Sequence, residues 1–188
     1  MQKEIETNLN IDEKEKEFQA IALQKKKKEN KLIVVLIVIS IATILFNTFI
    51  AQLAQVNGSS MSPTLENGQL LLISKLHKDA DDFERGDVVI FDWNGRHLIK
   101  RIIGFPGEKV QIKNNTIYIN NKEIEDYVDV EVYDAGVLAE EITLGQDEYI
   151  FLGDNRNNSA DCREFGAVKE SAIIGKVLFR ILPPKSFK

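Results

Sequence analysis

Three short segments hold the side chains whose chemistry stands out from their surroundings. The first, GSSMSPTLENG from Gly58 to Gly68, places Ser60 in a turn-forming stretch between Gly58 and Pro63. A serine in such a stretch is ordinarily a turn residue, since its hydroxyl bonds nearby backbone. The second, HLIKRIIGFPGE from His97 to Glu108, sets Lys100 in an apolar strand among Ile99, Ile102 and Ile103. Strand side chains alternate faces, so Lys100 and Arg101 point opposite ways, and one can be buried while the other is solvated or paired. A lysine there is either an edge-strand charge that blunts aggregation or, if desolvated, a neutral general base. Acting as a base near neutrality requires a pKa well below the ordinary ~10.4, within what desolvation supplies. A serine and a neutral lysine make a nucleophile–base pair that needs neither His nor Asp. The third segment, GDNRNNSADCREFG from Gly153 to Gly166, follows the apolar run EYIFL. It reads either as a solvated loop or as a hydrogen-bonded shell that orients a catalytic residue.

Other chemistries have less support. The two histidines, His77 and His97, are not in a metal-ligand spacing with Cys162 or with each other. No HExxH, GxSxG or Gly-rich phosphate loop occurs, so no metal, nucleotide or other cofactor is expected. The single cysteine, Cys162, excludes an intramolecular disulfide. A transpeptidase using Cys162 with a histidine and Arg163 is a rival reading, but this cysteine lies between two charged residues in a turn-rich loop. Charge weighs against nucleic acid: residues 51–188 hold 16 Lys and Arg against 22 acids, a net −6, where nucleic-acid binding needs a basic footprint.

The elements that must position these residues divide the chain into three parts. Residues 1–31 are a charged tail with 8 Lys and 7 acids, expected to be a solvated helix or disordered and to lie in the cytoplasm. Residues 32–50, LIVVLIVISIATILFNTFI, are 19 uncharged positions that make a helix of roughly 28 Å, matching a hydrocarbon core of about 30 Å. Lys25 to Lys28 and Lys31 precede this span, while the first basic residue after it is Lys75, which places the N-terminus in the cytoplasm and residues 51–188 outside it. The KKKK run also suits anionic lipid. A cleaved secretory signal fits poorly: the apolar run exceeds 7–15 residues, and Ala54 has Gln52 two positions before it.

After Ala51, short apolar runs separated by Gly, Asn and Asp predict strands over Gln69–Ser74, Asp87–Asp92, Leu98–Ile103, Lys109–Lys113, Thr116–Asn120, Glu148–Leu152 and Ile173–Ile181. Asn114-Asn115 and Asn120-Asn121 mark turns, because Asn tolerates positive φ. The expected fold class is mainly β: an antiparallel, coiled or barrel-like β domain behind one N-terminal transmembrane helix.

Taken together, SMSPTL (Ser60–Leu65), RGDVVIF (Arg85–Phe91), KRIIGFPGE (Lys100–Glu108) and GDNRNNSADCREFG, in this order behind one anchor, closely resemble the type I signal peptidases, over most of residues 55–181. These are membrane-bound serine endopeptidases that remove signal peptides from exported preproteins. The resemblance implies Ser60 as nucleophile, Lys100 as general base and the Ser60 N–H as an oxyanion donor. It implies Ser159 as a serine that holds the lysine amine, Asp161 and Arg163 as a supporting ion pair, and Arg101 and Asp154 as braces. It also implies an extended substrate lying along Ser60, Met61, Leu98, Ile99 and Lys100, with small residues at the first and third positions before the cut. The implied partners are secretory preproteins, membrane lipids and the Sec translocon. Departures from the pattern are Gly58 where some members carry a second oxyanion hydroxyl, Cys162 where many have Ser, and Glu108 in place of Asp. A catalytically silent, membrane-anchored assembly or chaperone factor on the same scaffold is the alternative, against which the presence of both Ser60 and Lys100 argues.

Overall fold

The structure, a computed structural model, describes residues 2–76, 82–130, 132, 134–181 and 185–186; His77 lies outside them. The chain divides into two compact units, 1–47 and 48–188. The first is the body of helix α1 (Gln2–Phe49), 48 residues long. Within it Leu23–Phe46 contains an 18-residue stretch of mean hydropathy 2.2 and carries its apolar side chains exposed, so this helix is long and apolar enough to cross a membrane.

The second unit is built from antiparallel strands: β1 (Ala51–Gln55), β2 (Leu70–Ser74), β3 (Val88–Trp93), β4 (Arg96–Gly104), β5 (Lys109–Lys113), β6 (Thr116–Ile119), β7 (Lys122–Glu123), β8 (Ile142–Thr143), β9 (Glu148–Leu152), β10 (Val168–Lys169), β11 (Ile173–Arg180) and β12 (Lys185–Ser186). A one-turn helix, α2 (Cys162–Phe165), separates β9 from β10. The larger sheet has the order β1-β2-β11-β3-β4-β9-β10, with β12 also on β11, and the smaller has the order β7-β6-β5-β8. Among the described residues the larger sheet is open, with β1 at one edge.

Hydrophobic patterning explains where the strands sit. β2, β5 and β6 alternate buried and less buried residues, as half-buried strands do. β3 is buried on both faces and separates two cores: Val89 and Phe91 join the larger one, with Phe151 and Tyr149, while Val88 and Ile90 join Met61, Leu65 and Leu71. In the larger core the Phe91 and Phe151 rings stack at 4.6 Å, a contact worth about 0.5–1.5 kcal/mol beyond its buried area. Asn114-Asn115 and Asn120-Asn121 take the two-residue hairpin turns predicted for them, with φ between 50° and 65°. A third such turn, Asn94-Gly95 (φ 53° and 77°), joins β3 to β4 and extends the predicted 98–103 strand at both ends. The sequence reading passed over this Asn-Gly pair, although it is the strongest short hairpin signal. It also passed over β1, because Ala and Gln are weak strand formers and only pairing with the apolar β2 makes the segment extended.

Candidate active site

Ser60 sits in the turn between β1 and β2, a stretch tied at both ends. The Gly58 N–H donates to Asn67 Oδ1 (2.9 Å), and the Leu65 N–H closes a turn on the Met61 carbonyl (2.8 Å). The loop after β9 holds the same stretch from another side. Asn155 donates its N–H to the Ser60 carbonyl (3.0 Å) and its side-chain amide to the Ser59 carbonyl (3.1 Å). The backbone N–H of Ser60 has no acceptor among the described residues.

Lys100 lies in the middle of β4 and is only 2% exposed. Its Nζ reaches Ser60 Oγ at 2.7 Å and donates to the Ile99 carbonyl at 3.0 Å. Burial disfavours the ammonium form and lowers the pKa of the amine; the carboxylates of Asp161 and Asp154 work the other way. Arg101, on the opposite face, is also buried, so neither of the two adjacent cations is left in solvent. Its guanidinium is satisfied by Asp154 (2.8 and 2.5 Å) and by the Gly86 carbonyl (2.7 Å).

The loop from Gly153 to Cys162 turns Asp154, Arg156 and Asp161 inward as bonded, buried groups and leaves Asn157, Asn158 and Ala160 exposed. Asp161 caps α2, accepts from Arg163 Nε and Nη2 (2.8 and 2.9 Å), and accepts the Gly153 N–H (2.9 Å). A methyl group at Gly153 would stand 2.1 Å from Ser159 Oγ and 2.6 Å from the Ser60 carbonyl, so the nucleophile loop is seated directly on this glycine. The structure does not join Ser159 to the lysine amine: its Oγ is buried and has no hydrogen-bond partner among the described residues. Cys162 is fully buried, accepts the Phe151 N–H (3.1 Å) and has its thiol pKa pushed up by burial, which disfavours the thiolate that a nucleophilic role needs. Glu108 pairs with Arg85 and accepts the Phe105 N–H (2.8 Å), holding the β4–β5 turn. At Gly58 φ is +102°, a backbone conformation in which a serine would be strained.

Ser60 and Lys100 line a cavity of about 350 Å³, with Met61, Leu98 and Ile99 beside them. Its opposite wall, which the sequence did not reveal, is Gln52 to Asn57. Successive residues of both β1 and β4 border the space, as strand edges rather than faces do. The hydrogen bonding agrees, since among the described residues β1 pairs only with β2 and the β4 segment before Arg101 pairs only with β3. Two unpaired β edges therefore flank the Ser60–Lys100 contact.

The chain has clear relatives among known proteins. Residues 28–182 match the family model for signal peptidase, peptidase S26. The chain is 38% identical over 146 residues to signal peptidase I of Bacillus caldolyticus, covering 70% of this chain and 80% of that protein. It is 36% identical over 172 residues to signal peptidase IB of Staphylococcus aureus strain N315, covering 80% and 90%. A crystal structure of a signal peptidase I from Enterococcus faecalis V583 is 29% identical, covers 50% of this chain and 95% of that one, and superposes with a TM-score of 0.43. With the family model spanning most of its length and relatives matched over most of theirs, this chain belongs to the signal peptidase I family of serine endopeptidases.

Proposed function

We propose that the protein cuts signal peptides from exported preproteins with a Ser60–Lys100 dyad, after sites of the form small-x-small. The observation that carries this reading is the 2.7 Å contact between a buried lysine amine and a serine hydroxyl, in a cavity flanked by two unpaired strand edges. Neutral Lys100 takes the proton from Ser60 Oγ as the oxygen attacks the scissile carbonyl carbon. The oxyanion that forms accepts from the Ser60 N–H. Collapse breaks the C–N bond, the Lys100 ammonium hands its proton to the leaving amine, and the mature chain departs. Water, deprotonated in turn by Lys100, attacks the acyl ester; the C–O bond to Ser60 breaks, the Lys100 ammonium returns the proton to Ser60 Oγ, and the signal peptide leaves with a new carboxyl group that ionises in solvent. An extended substrate adds its main chain to the edges of β1 and β4, which accommodates many sequences, while the space beside Met61, Leu98 and Ile99 favours small side chains.

The lysine-rich flank before the apolar span supports an orientation with residues 1–31 in the cytoplasm, residues 32–50 across the bilayer and the peptidase domain 51–188 outside. Anchoring in the bilayer that holds the substrate's apolar segment raises the effective concentration of the cleavage site, and lipid and the Sec translocon are the surroundings in which preproteins are met. The test is mass-spectrometric mapping of the cut in a preprotein whose signal ends in Ala-x-Ala, with full-length enzyme in detergent. Cleavage after the second Ala, lost on placing Phe at either Ala position and lost with Ser60→Ala, is expected. Equal activity of wild type and Ser60→Ala would reject the dyad.

Two smaller results follow from the packing. Gly153→Ala drives a methyl group into the Ser60 carbonyl, and displacing a reacting group by about 1 Å costs ~10²-fold. The expected outcome is a fall in kcat of about that size, read from initial rates on the same preprotein. Native enzyme treated with iodoacetamide is expected to keep its rate within about twofold, since Cys162 is buried and burial disfavours its thiolate. Inactivation matched by carbamidomethylation of Cys162 would contradict this.

A further inference from the structure

The irregular stretch after β7 carries two neighbouring side chains that reach behind the dyad from different sides. Asp126 makes a two-pronged ion pair with Arg156, whose side chain is fully buried. Arg156 Nε in turn donates to the Gly153 carbonyl (3.0 Å), and Gly153 is the residue on which the Ser60 carbonyl rests. Tyr127 donates its hydroxyl to the Arg85 carbonyl (2.7 Å) and lays its ring over the Cα of Gly86, where an added methyl would stand 2.3 Å from the ring. Gly86 also has φ +95°, so the position admits no side chain on either ground. The same ring faces the Arg101 guanidinium at 5.4 Å, and Arg101 is held by the Gly86 carbonyl, by Asp154 and by its place next to Lys100 in β4.

The charges require such a partner. Arg101, Arg156 and Arg163 lie close enough that the other two cations, after burial, depress the Arg156 pKa to about 10. Asp154 and Asp161 serve Arg101 and Arg163, which leaves Asp126 as the carboxylate bonded to Arg156 among the described residues. Removing that charge leaves three buried guanidiniums against two carboxylates, and the Arg156 bond to Gly153 loses its anchor.

We propose that Asp126 and Tyr127 are positioning residues for the peptidase reaction, a strap in which Asp126 fixes the nucleophile loop through Arg156 and Gly153, and Tyr127 fixes the β4 side through Gly86 and Arg101. Neither touches the dyad. The role rests on the Ser60–Lys100 reading, and its signature is a loss in kcat at nearly constant KM, because the two unpaired edges that bind substrate are formed by other residues.

The experiment measures kcat and KM of full-length wild type, Asp126→Asn, Arg156→Met, the double variant, Tyr127→Leu and Tyr127→Phe on one preprotein, well below each variant's melting temperature. Expected are kcat losses of ~10-fold for each Asp126 and Arg156 single variant and again ~10-fold, not ~100-fold, for the double, since both act along one path. Tyr127→Leu is expected to lose ~10-fold, and Tyr127→Phe, which keeps the ring over Gly86 and Arg101, is expected to recover most of it. Asp126→Asn and Tyr127→Leu both within twofold of wild type, multiplicative losses in the double variant, or losses matched by the unfolded fraction would each overturn the strap. Failure of the dyad itself would look different: wild-type cleavage would survive Ser60→Ala.

Discussion

Lys100→Met is expected to lower kcat/KM by up to ~10⁴-fold at the pH where the wild-type amine is free, by less at more acid pH, and, in the same protein, to raise the melting temperature. The first effect is the loss of the group that takes the proton from Ser60, for which general base catalysis supplies up to about 10⁴-fold. The second follows from burial. Lys100 is 2% exposed, and desolvation is the largest influence on its pKa, lowering it. Between that lowered value and the ordinary ~10.4 the unfolded chain holds a proton that the native amine has released, so wild-type stability rises with pH through this window. Below the window both states are protonated and the full cost of a buried ammonium is felt. A methionine of similar length titrates nowhere. The gain in melting temperature from Lys100→Met is therefore expected to be greatest at the acid end and to shrink as pH rises towards 10. Wild-type kcat/KM should climb over the lower part of the same window as the free amine appears. Thermal melts and rates on one buffer series test both; a pH-independent difference in melting temperature would show that burial does not weigh on this amine.

Much of this site was legible because its signals are local. Ser60 stands between turn formers and Lys100 stands among isoleucines, and both properties belong to a few consecutive residues. The same holds for the alternating strands and the Asn-Asn turns. What the residues could not disclose is pairing at long range. The wall formed by Gln52 to Asn57 is extended because β2 lies beside it, and nothing in AQLAQ announces a strand. Asp126 and Arg156 are thirty positions apart and neither is unusual by itself, so their union appears only once the chain is folded. Arg101 was expected to be solvated or paired; it is paired and buried together with its neighbour Lys100, because the pairing with Asp154 makes burial of a second cation tolerable. Ser159 shows the converse limit: its place in the motif implies contact with the lysine, whereas its oxygen here lies against Gly153 and bonds nothing among the described residues.

The Arg101–Asp154 pair gives the largest expected effect on stability. Both members are buried, and Asp154 satisfies two guanidinium nitrogens at 2.8 and 2.5 Å. Removing one partner strands the other charge out of water, which costs about 3–5 kcal/mol, whereas replacing both by apolar residues of similar volume is often close to neutral. Asp154→Ala is therefore expected to lower the melting temperature by roughly 10 °C or more, given about 2–4 °C per kcal/mol for a domain of this size. The double variant Arg101→Met/Asp154→Leu is expected to recover most of that loss, though not all, because the Gly86 carbonyl forfeits its bond from Arg101 Nη1. Activity is expected to behave differently. Arg101 also reaches Thr64 in the nucleophile stretch at 3.5 Å while sitting beside Lys100 in β4, so it links the strand that carries the base to the loop that carries the nucleophile. An apolar pair restores the packing but makes none of those polar links, and the double variant is expected to be stable and slow, with kcat reduced by at least about tenfold. Melts and initial rates on the two variants separate the possibilities: recovery of rate along with stability would mean that the pair only holds the fold, and recovery of stability alone would mean that it also sets the distance between Ser60 and Lys100.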